Sequence, residues 1–180
     1  VYLRQVDAPL PNMWLRGIDI TEAEGGVAEI VRSDEYQALL QDDVLPDMAR
    51  TFITESYFQE RLDDLKGAVW AAIHAVWDDD EGDGDHAAEA RSEALRLIYK
   101  AVSEGFSYAP DETLARAIQI DLLRRAGQYE EAVELLDLPV ATTNDVLLSV
   151  MSFESHLFRE QDAGCYTTQN ALDFAQPAQP

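Results

Sequence analysis

Residues 112–136 read ETLARAIQIDLLRRAGQYEEAVELL, and this stretch decides the fold class. Its first half places apolar residues four apart on one helix face, at Leu114, Ile118 and Leu122. Its second half has the i, i+3, i+4, i+7 spacing of an amphipathic helix, at Tyr129, Ala132, Val133 and Leu136. Gly127 stands between the halves, where a glycine can adopt the left-handed conformation that ends a helix. The stretch therefore predicts two antiparallel helices joined by a short turn.

Further helices are predicted on both sides of this pair by apolar periodicity and capping residues. They span residues 34–41, 46–61, 64–78, 85–104 and 142–160, the first capped by Ser33 and the last by Thr142 or Thr143. The 64–78 segment carries Trp70 and Trp77 and is apolar over most of its circumference, so we expect neighbours to cover it on two sides. About seven helices with short connections indicate an all-α array of antiparallel helical hairpins.

The domain organisation follows from where helical periodicity begins and ends. Residues 1–26 contain two prolines and three glycines between short apolar groups and are expected to form an extended segment. Residues 27–162 form the predicted helical-repeat domain. Residues 163–180 are polar, end in AQPAQP and are predicted to be a flexible tail.

The composition restricts the class of partner. The formal net charge is −22, from 13 Lys and Arg against 35 Asp and Glu. Nucleic acids and anionic membranes are repelled by such a surface. The acidity fits a solubilising surface, adaptation to high salt or mimicry of nucleic acid, and the sequence leaves these three open. No apolar run is long enough for a membrane span, and a single cysteine without a C-x-x-C pair favours a reducing cytoplasmic setting.

The acidic loop at residues 78–86, DDDEGDGDH, is the first possible metal site. Placing Gly84 at position 6 of a calcium loop aligns Asp79, Glu81 and Asp83 with the oxygen ligands, but position 12 is then Ala90 and Glu89 comes one residue early. Since the bidentate ligand is missing, a solvated loop is the favoured interpretation.

Two further groups resemble parts of catalytic sites. His74 and Asp78 lie four apart on one helix, as a general base and its orienting carboxylate would; a half-buried histidine satisfied by its neighbour has the same spacing. Cys165 could pair with His156, although no local nucleophile signature surrounds it. The three histidines, with His86, are too scattered for a zinc signature. The sequence therefore predicts no catalytic residue, no metal site and no cofactor.

Gly127, Tyr129 and Ala132 show the spacing G-x-Y-x-x-A, which resembles the central turn of a tetratricopeptide repeat. The order of SDEYQALL, WAAIHAVWDDDEGD, EARSEALRLI and LLRRAGQYEEAVELL is also similar to that in uncharacterised bacterial proteins with an N-terminal zinc ribbon before tetratricopeptide-like helices. Paired cysteines are missing here, so the ribbon is not present in this sequence. The resemblance implies a helical-repeat scaffold and transfers no catalytic residues.

The functional prediction is a non-enzymatic, acidic helical-repeat module that binds another protein through a basic surface of that partner. The alternative is an acidic inhibitor or nucleic-acid mimic that occupies the groove of a basic protein. An enzyme or metal-dependent module using the 78–86 loop is the third possibility.

Overall fold

A computed structural model describes residues 29–30, 32–41, 47–79 and 87–176. Within these ranges the protein is all-α, without strands. The helices that can be bounded are α1 (Asp34–Gln41), α2 (Asp47–Arg61), α3 (Leu65–Asp79), α4 (Ala87–Ser103), α5 (Glu112–Arg125), α6 (Tyr129–Leu136), α7 (Asp145–Arg159) and α8 (Thr168–Ala175). The contacts divide the described residues into two compact units between Tyr108 and Ala109, inside the predicted 27–162 domain.

The first unit is organised around α3, which packs against both α2 and α4. Eight of its side chains are almost fully buried, namely Leu65, Ala68, Val69, Ala71, Ala72, Ile73, Ala75 and Val76. Trp77 is also buried, and half-buried Trp70 donates its indole N–H to the Tyr108 carbonyl at 2.6 Å. The buried Ser56 hydroxyl donates to the Ala68 carbonyl at 2.9 Å, which links α2 to α3. The prediction of a helix covered on two sides is thus confirmed.

The second unit contains α5 to α8. α5 packs on α6 and α7, and α8 packs on α7. Its core joins α5, α7 and α8 through Ala117, Ile120, Val150, Met151, Phe153, Leu157 and Ala171. The turn between α5 and α6 forms as predicted, because Gly127 adopts φ +71° and the amides of Gly127 and Gln128 donate to the carbonyls of Arg124 and Leu123.

Three details differ from the sequence-based expectations. Helix α8 lies inside the segment predicted to be a flexible tail, since Thr167 and Asn170 form a capping box and Ala171 is fully buried. Val133 is 37% exposed and does not join the buried stripe of α6. Helix α7 begins at Asp145 with Asn144 as its cap, because the Asn144 side chain accepts from two backbone amides. The predicted extended segment 1–26 lies outside the described residues.

Candidate functional site

A narrow apolar groove lies between the amino-terminal halves of α5 and α7. It has a volume of about 60 Å³ and is lined by Leu114, Ala117, Ile118, Val146, Leu147, Val150 and Thr168. Ala117 and Val150 are buried, Leu147 is half-buried, and Val146 is 40% exposed. The groove therefore presents aliphatic carbon to solvent along one side, between two helices whose first turns lie next to each other.

Side-chain caps determine where these two helices begin. Asp111 accepts a hydrogen bond from the Leu114 amide at 3.0 Å, and Asn144 accepts from the Val146 amide at 3.0 Å. Each cap satisfies backbone donors that the first turn of a helix leaves without partners. Because both helices begin at fixed residues, their first apolar side chains are held at the same end of the unit.

At both helix starts, exposed carboxylates precede groove-lining residues in the sequence. Asp111 and Glu112 precede Leu114, Asp145 precedes Val146, and all three acids are exposed. Acidic residues in the first turn of a helix are stabilised by the positive end of the helix dipole. The apolar lining of the groove thus lies within three residues of three exposed acids, which together form its acidic rim.

Further along α5 and α7 than the groove, a buried ionic cluster connects the two helices. Arg124 and Glu154 both have fully buried side chains, and the Arg124 Nε donates to Glu154 Oε2 at 2.9 Å. The Arg124 Nη2 donates to Asp121 Oδ1 at 2.7 Å, and Arg125 lies 3.7 Å from the other oxygen of Asp121. Two cations therefore face two carboxylates with little exposure to water.

The loop after α7 completes the coordination of Arg124. Its Nη1 donates to the carbonyls of Asp162 and Gly164, the second at 3.0 Å. Gln161 takes a left-handed conformation with φ 52°, and its carbonyl accepts from the Tyr129 hydroxyl at 3.0 Å. Since every nitrogen of the guanidinium donates to an oxygen of the protein, the cluster holds α5, α7 and this loop together and offers no surface to a substrate.

Asp162 has a second role in the same loop. Its carboxylate accepts from the Tyr166 hydroxyl and from the Gly164 amide. The hydrogen bond from Tyr166, with that from Gly164, lowers the pKa of Asp162, and Tyr166 has a raised pKa for the same reason. These bonds fix the loop whose carbonyls face Arg124.

His74, which was predicted to pair with Asp78, lies among aromatic rings. The imidazole lies 5.2 Å from the ring of Phe52, 6.0 Å from Trp70 and 5.4 Å from Trp77, measured between ring centroids. Burial among these rings lowers the pKa of His74. His74 is thus half-buried, as the simpler interpretation expected, but the groups around it are aromatic rings rather than the carboxylate of Asp78.

His156 lies among aromatic rings. His156 stacks on Phe174 with ring centroids 4.8 Å apart and an interplanar angle of 18°, while Phe153 lies 6.5 Å away. Cys165 is exposed in the loop before α8. The histidine therefore helps to attach α8 to α7.

Most of the acidic loop at 78–86 lies outside the described residues, as do His86 and the side chain of Asp79. In the ranges that the structure does describe, no group of three or more His, Cys, Asp or Glu side chains is placed to hold a metal ion. None of the helices described is both long and apolar enough to cross a bilayer.

Sequence reasoning missed the buried pairing of Arg124. A signal for it exists in α7. Glu154 follows Val150 and Met151 by four and three residues and precedes Leu157 by three, so it lies within an apolar stripe. A carboxylate at such a position predicts a buried cation opposite it.

Comparison with known proteins adds no family. No protein-family model, no curated protein and no solved structure matches the chain.

Proposed function

We propose that this protein is a non-enzymatic interaction module that binds another protein through a basic surface of that partner. The observation that carries the proposal is the partly exposed aliphatic groove between α5 and α7, with the exposed acids Asp111, Glu112 and Asp145 within three residues of its lining. Apolar contact would supply affinity, and the flanking acids would select cationic partners and orient them.

The overall charge supports the same class of partner. With a formal net charge of −22, the chain attracts cationic surfaces over distances of about one Debye length and repels polyanions. Association with a basic protein is therefore expected to be fast at low salt and weaker as salt rises.

The size of the groove also favours a macromolecular partner over a small molecule. Its volume of about 60 Å³ is far below the roughly 300–1,000 Å³ typical of small-molecule sites. Such a space can hold one part of a larger ligand whose remaining contacts lie on the surface around it.

The proposal is tested by titrating the full chain with a fluorescent lysine-rich peptide at about 50 and 500 mM salt, with a glutamate-rich peptide of equal length as the control. We expect binding of the cationic peptide only, with affinity falling at least tenfold at the higher salt. Binding that is indifferent to salt, or no binding at all, would contradict the proposal.

A matched pair of variants locates the interaction. Glu112→Gln with Asp145→Asn removes two charges beside the groove, and Glu130→Gln with Glu134→Gln removes two exposed charges from α6, away from the groove lining. The first pair is expected to weaken binding of the lysine-rich peptide several-fold more than the second. Equal losses would mean that the charge of the chain as a whole, rather than this groove, attracts the partner.

A further inference from the structure

The size of the groove and the chemistry of its lining determine which chemical group it can accommodate. Every lining side chain other than Thr168 is aliphatic, and the volume of about 60 Å³ is well below the roughly 150 Å³ of an apolar cavity that binds benzene, which favours a small aliphatic group over an aromatic ring. A cationic side chain placed there would lose its hydration without an ion-pair partner in the lining. The floor of the groove and its acidic rim therefore suit different residues of one ligand.

We infer that the groove binds a single leucine-like side chain of a basic peptide segment, whose Lys or Arg residues on either side of this anchor pair with the acids at the starts of α5 and α7. The inference rests on the proposed function and specifies the ligand of that site. Glu112 precedes Leu114 by two residues, and Asp145 adjoins Val146, so both carboxylates lie within one helical turn of the floor. Cationic residues one to four positions from the anchor can reach them.

The anchor site is also held in its shape before any ligand binds. Beyond its inner end, the buried pair of Arg124 and Glu154 connects the same two helices. At its outer end, the caps Asp111 and Asn144 hold the first turns. Because the helices are fixed at both ends, little conformational entropy is lost when a side chain enters.

A second copy of this chain is a poorer occupant. Two chains that each carry a formal charge of −22 repel each other, and the rim of the groove is itself acidic. Charge complementarity thus selects a basic segment of another protein.

The test uses the full chain and two fluorescent peptides with identical lysines, one with a central leucine and the other with a central serine. Polarisation titrations at about 100 mM salt are expected to show roughly tenfold tighter binding of the leucine peptide, the effect of burying most of one aliphatic side chain. Two variants on α7 localise this difference. Val146 lines the groove and Leu148 does not, and both are 40% exposed, so neither Val146→Asn nor Leu148→Asn should unfold the protein.

We expect Val146→Asn to reduce the leucine advantage to less than about threefold, while Leu148→Asn preserves it. Equal binding of the two peptides, or an equal effect of the two substitutions, would overturn the anchor site and leave the acidic interaction module standing. Failure of both peptides to bind would overturn the proposed function itself, and the anchor site with it.

Discussion

Arg124 and Glu154 form an ion pair at 2.9 Å in which both side chains are completely buried. The two residues are 30 positions apart and belong to different helices, so the pair connects α5 to α7 in the interior of the second unit. Removing one partner of a buried pair leaves an uncompensated charge, whereas replacing both with apolar groups often costs little. This asymmetry leads to the first prediction.

Arg124→Met is expected to destabilise the second unit by about 3–5 kcal/mol, because Glu154 and Asp121 would then be buried without their main cation. The double variant Arg124→Met with Glu154→Met should recover at least half of that loss. Urea denaturation followed by circular dichroism measures both. A loss below about 1 kcal/mol for the single variant would show that water replaces the guanidinium, contrary to the burial seen here.

Glu60 gives the first unit a stability that depends on acid pH. Hydrogen bonds from Arg96 and Lys100, led by the Arg96 pair at 2.6 and 3.1 Å, lower the pKa of Glu60 from 4.5 to about 2. Because the folded-state pKa lies below the unfolded value, the contribution is complete above pH 4.5 and is lost as pH falls towards 2. Glu60→Gln should cost about 1–2 kcal/mol at pH 7, since Arg96 and Lys100 are partly exposed and screened, and almost nothing near pH 2. A cost that is the same at both pH values would contradict this assignment.

We expect His74 to affect the stability of the fold in a higher pH range than Glu60 does. Burial among aromatic rings lowers the pKa of His74, so the folded state resists its protonation. Stability therefore falls as pH drops below the usual histidine value of about 6.5. His74→Phe, which preserves the ring packing, should remove this part of the pH dependence. The melting temperatures of the wild-type protein and the variant are measured at pH 7.5 and 5.5. Between these two values the wild-type protein should lose more of its melting temperature than the variant.

Gly127 ends α5 in a left-handed conformation at φ +71°, and a Cβ added there meets no atom within 4 Å. Any cost of substitution is thus conformational rather than steric. Gly127→Ala should destabilise the second unit by about 1–2 kcal/mol, and Gly127→Asn by less, because asparagine tolerates this conformation better. Thermal unfolding of the two variants gives the comparison, and equal losses would indicate that the left-handed turn is not the cause.

Gln161 is a non-glycine residue in the left-handed conformation, at φ 52°. Here the substitution therefore introduces a glycine instead of removing one. Gln161→Gly should relieve backbone strain and leave the bond from the Tyr129 hydroxyl to the carbonyl of residue 161 intact. We expect a gain of a few tenths to about 1 kcal/mol in unfolding free energy, the strain relief being partly offset by the greater chain entropy of glycine. A destabilised variant would mean that contacts of the glutamine side chain outweigh the strain.

The sequence by itself determined the helical class and most of the helix positions. Ala90, Ala94, Leu97, Ile98 and Ala101 have the spacing of one helix face within the predicted 85–104 helix, and all five are buried in α4. The turn at Gly127 and the cap at Ser33, whose hydroxyl accepts from the Tyr36 amide, were equally readable. These features depend on residues within one or two helical turns of each other, so local periodicity and backbone chemistry were sufficient.

Only the tertiary structure decided which helix faces meet. It joined Arg124 to Glu154 across 30 residues, brought the first turns of α5 and α7 together around an open groove, and added α8 to a segment whose composition suggested no structure. Pairings of this kind depend on which residues from distant parts of the chain exclude water together. Local spacing shows that a helix face is apolar or that a carboxylate lies within it. Which residues pack against that face depends on packing across the whole unit.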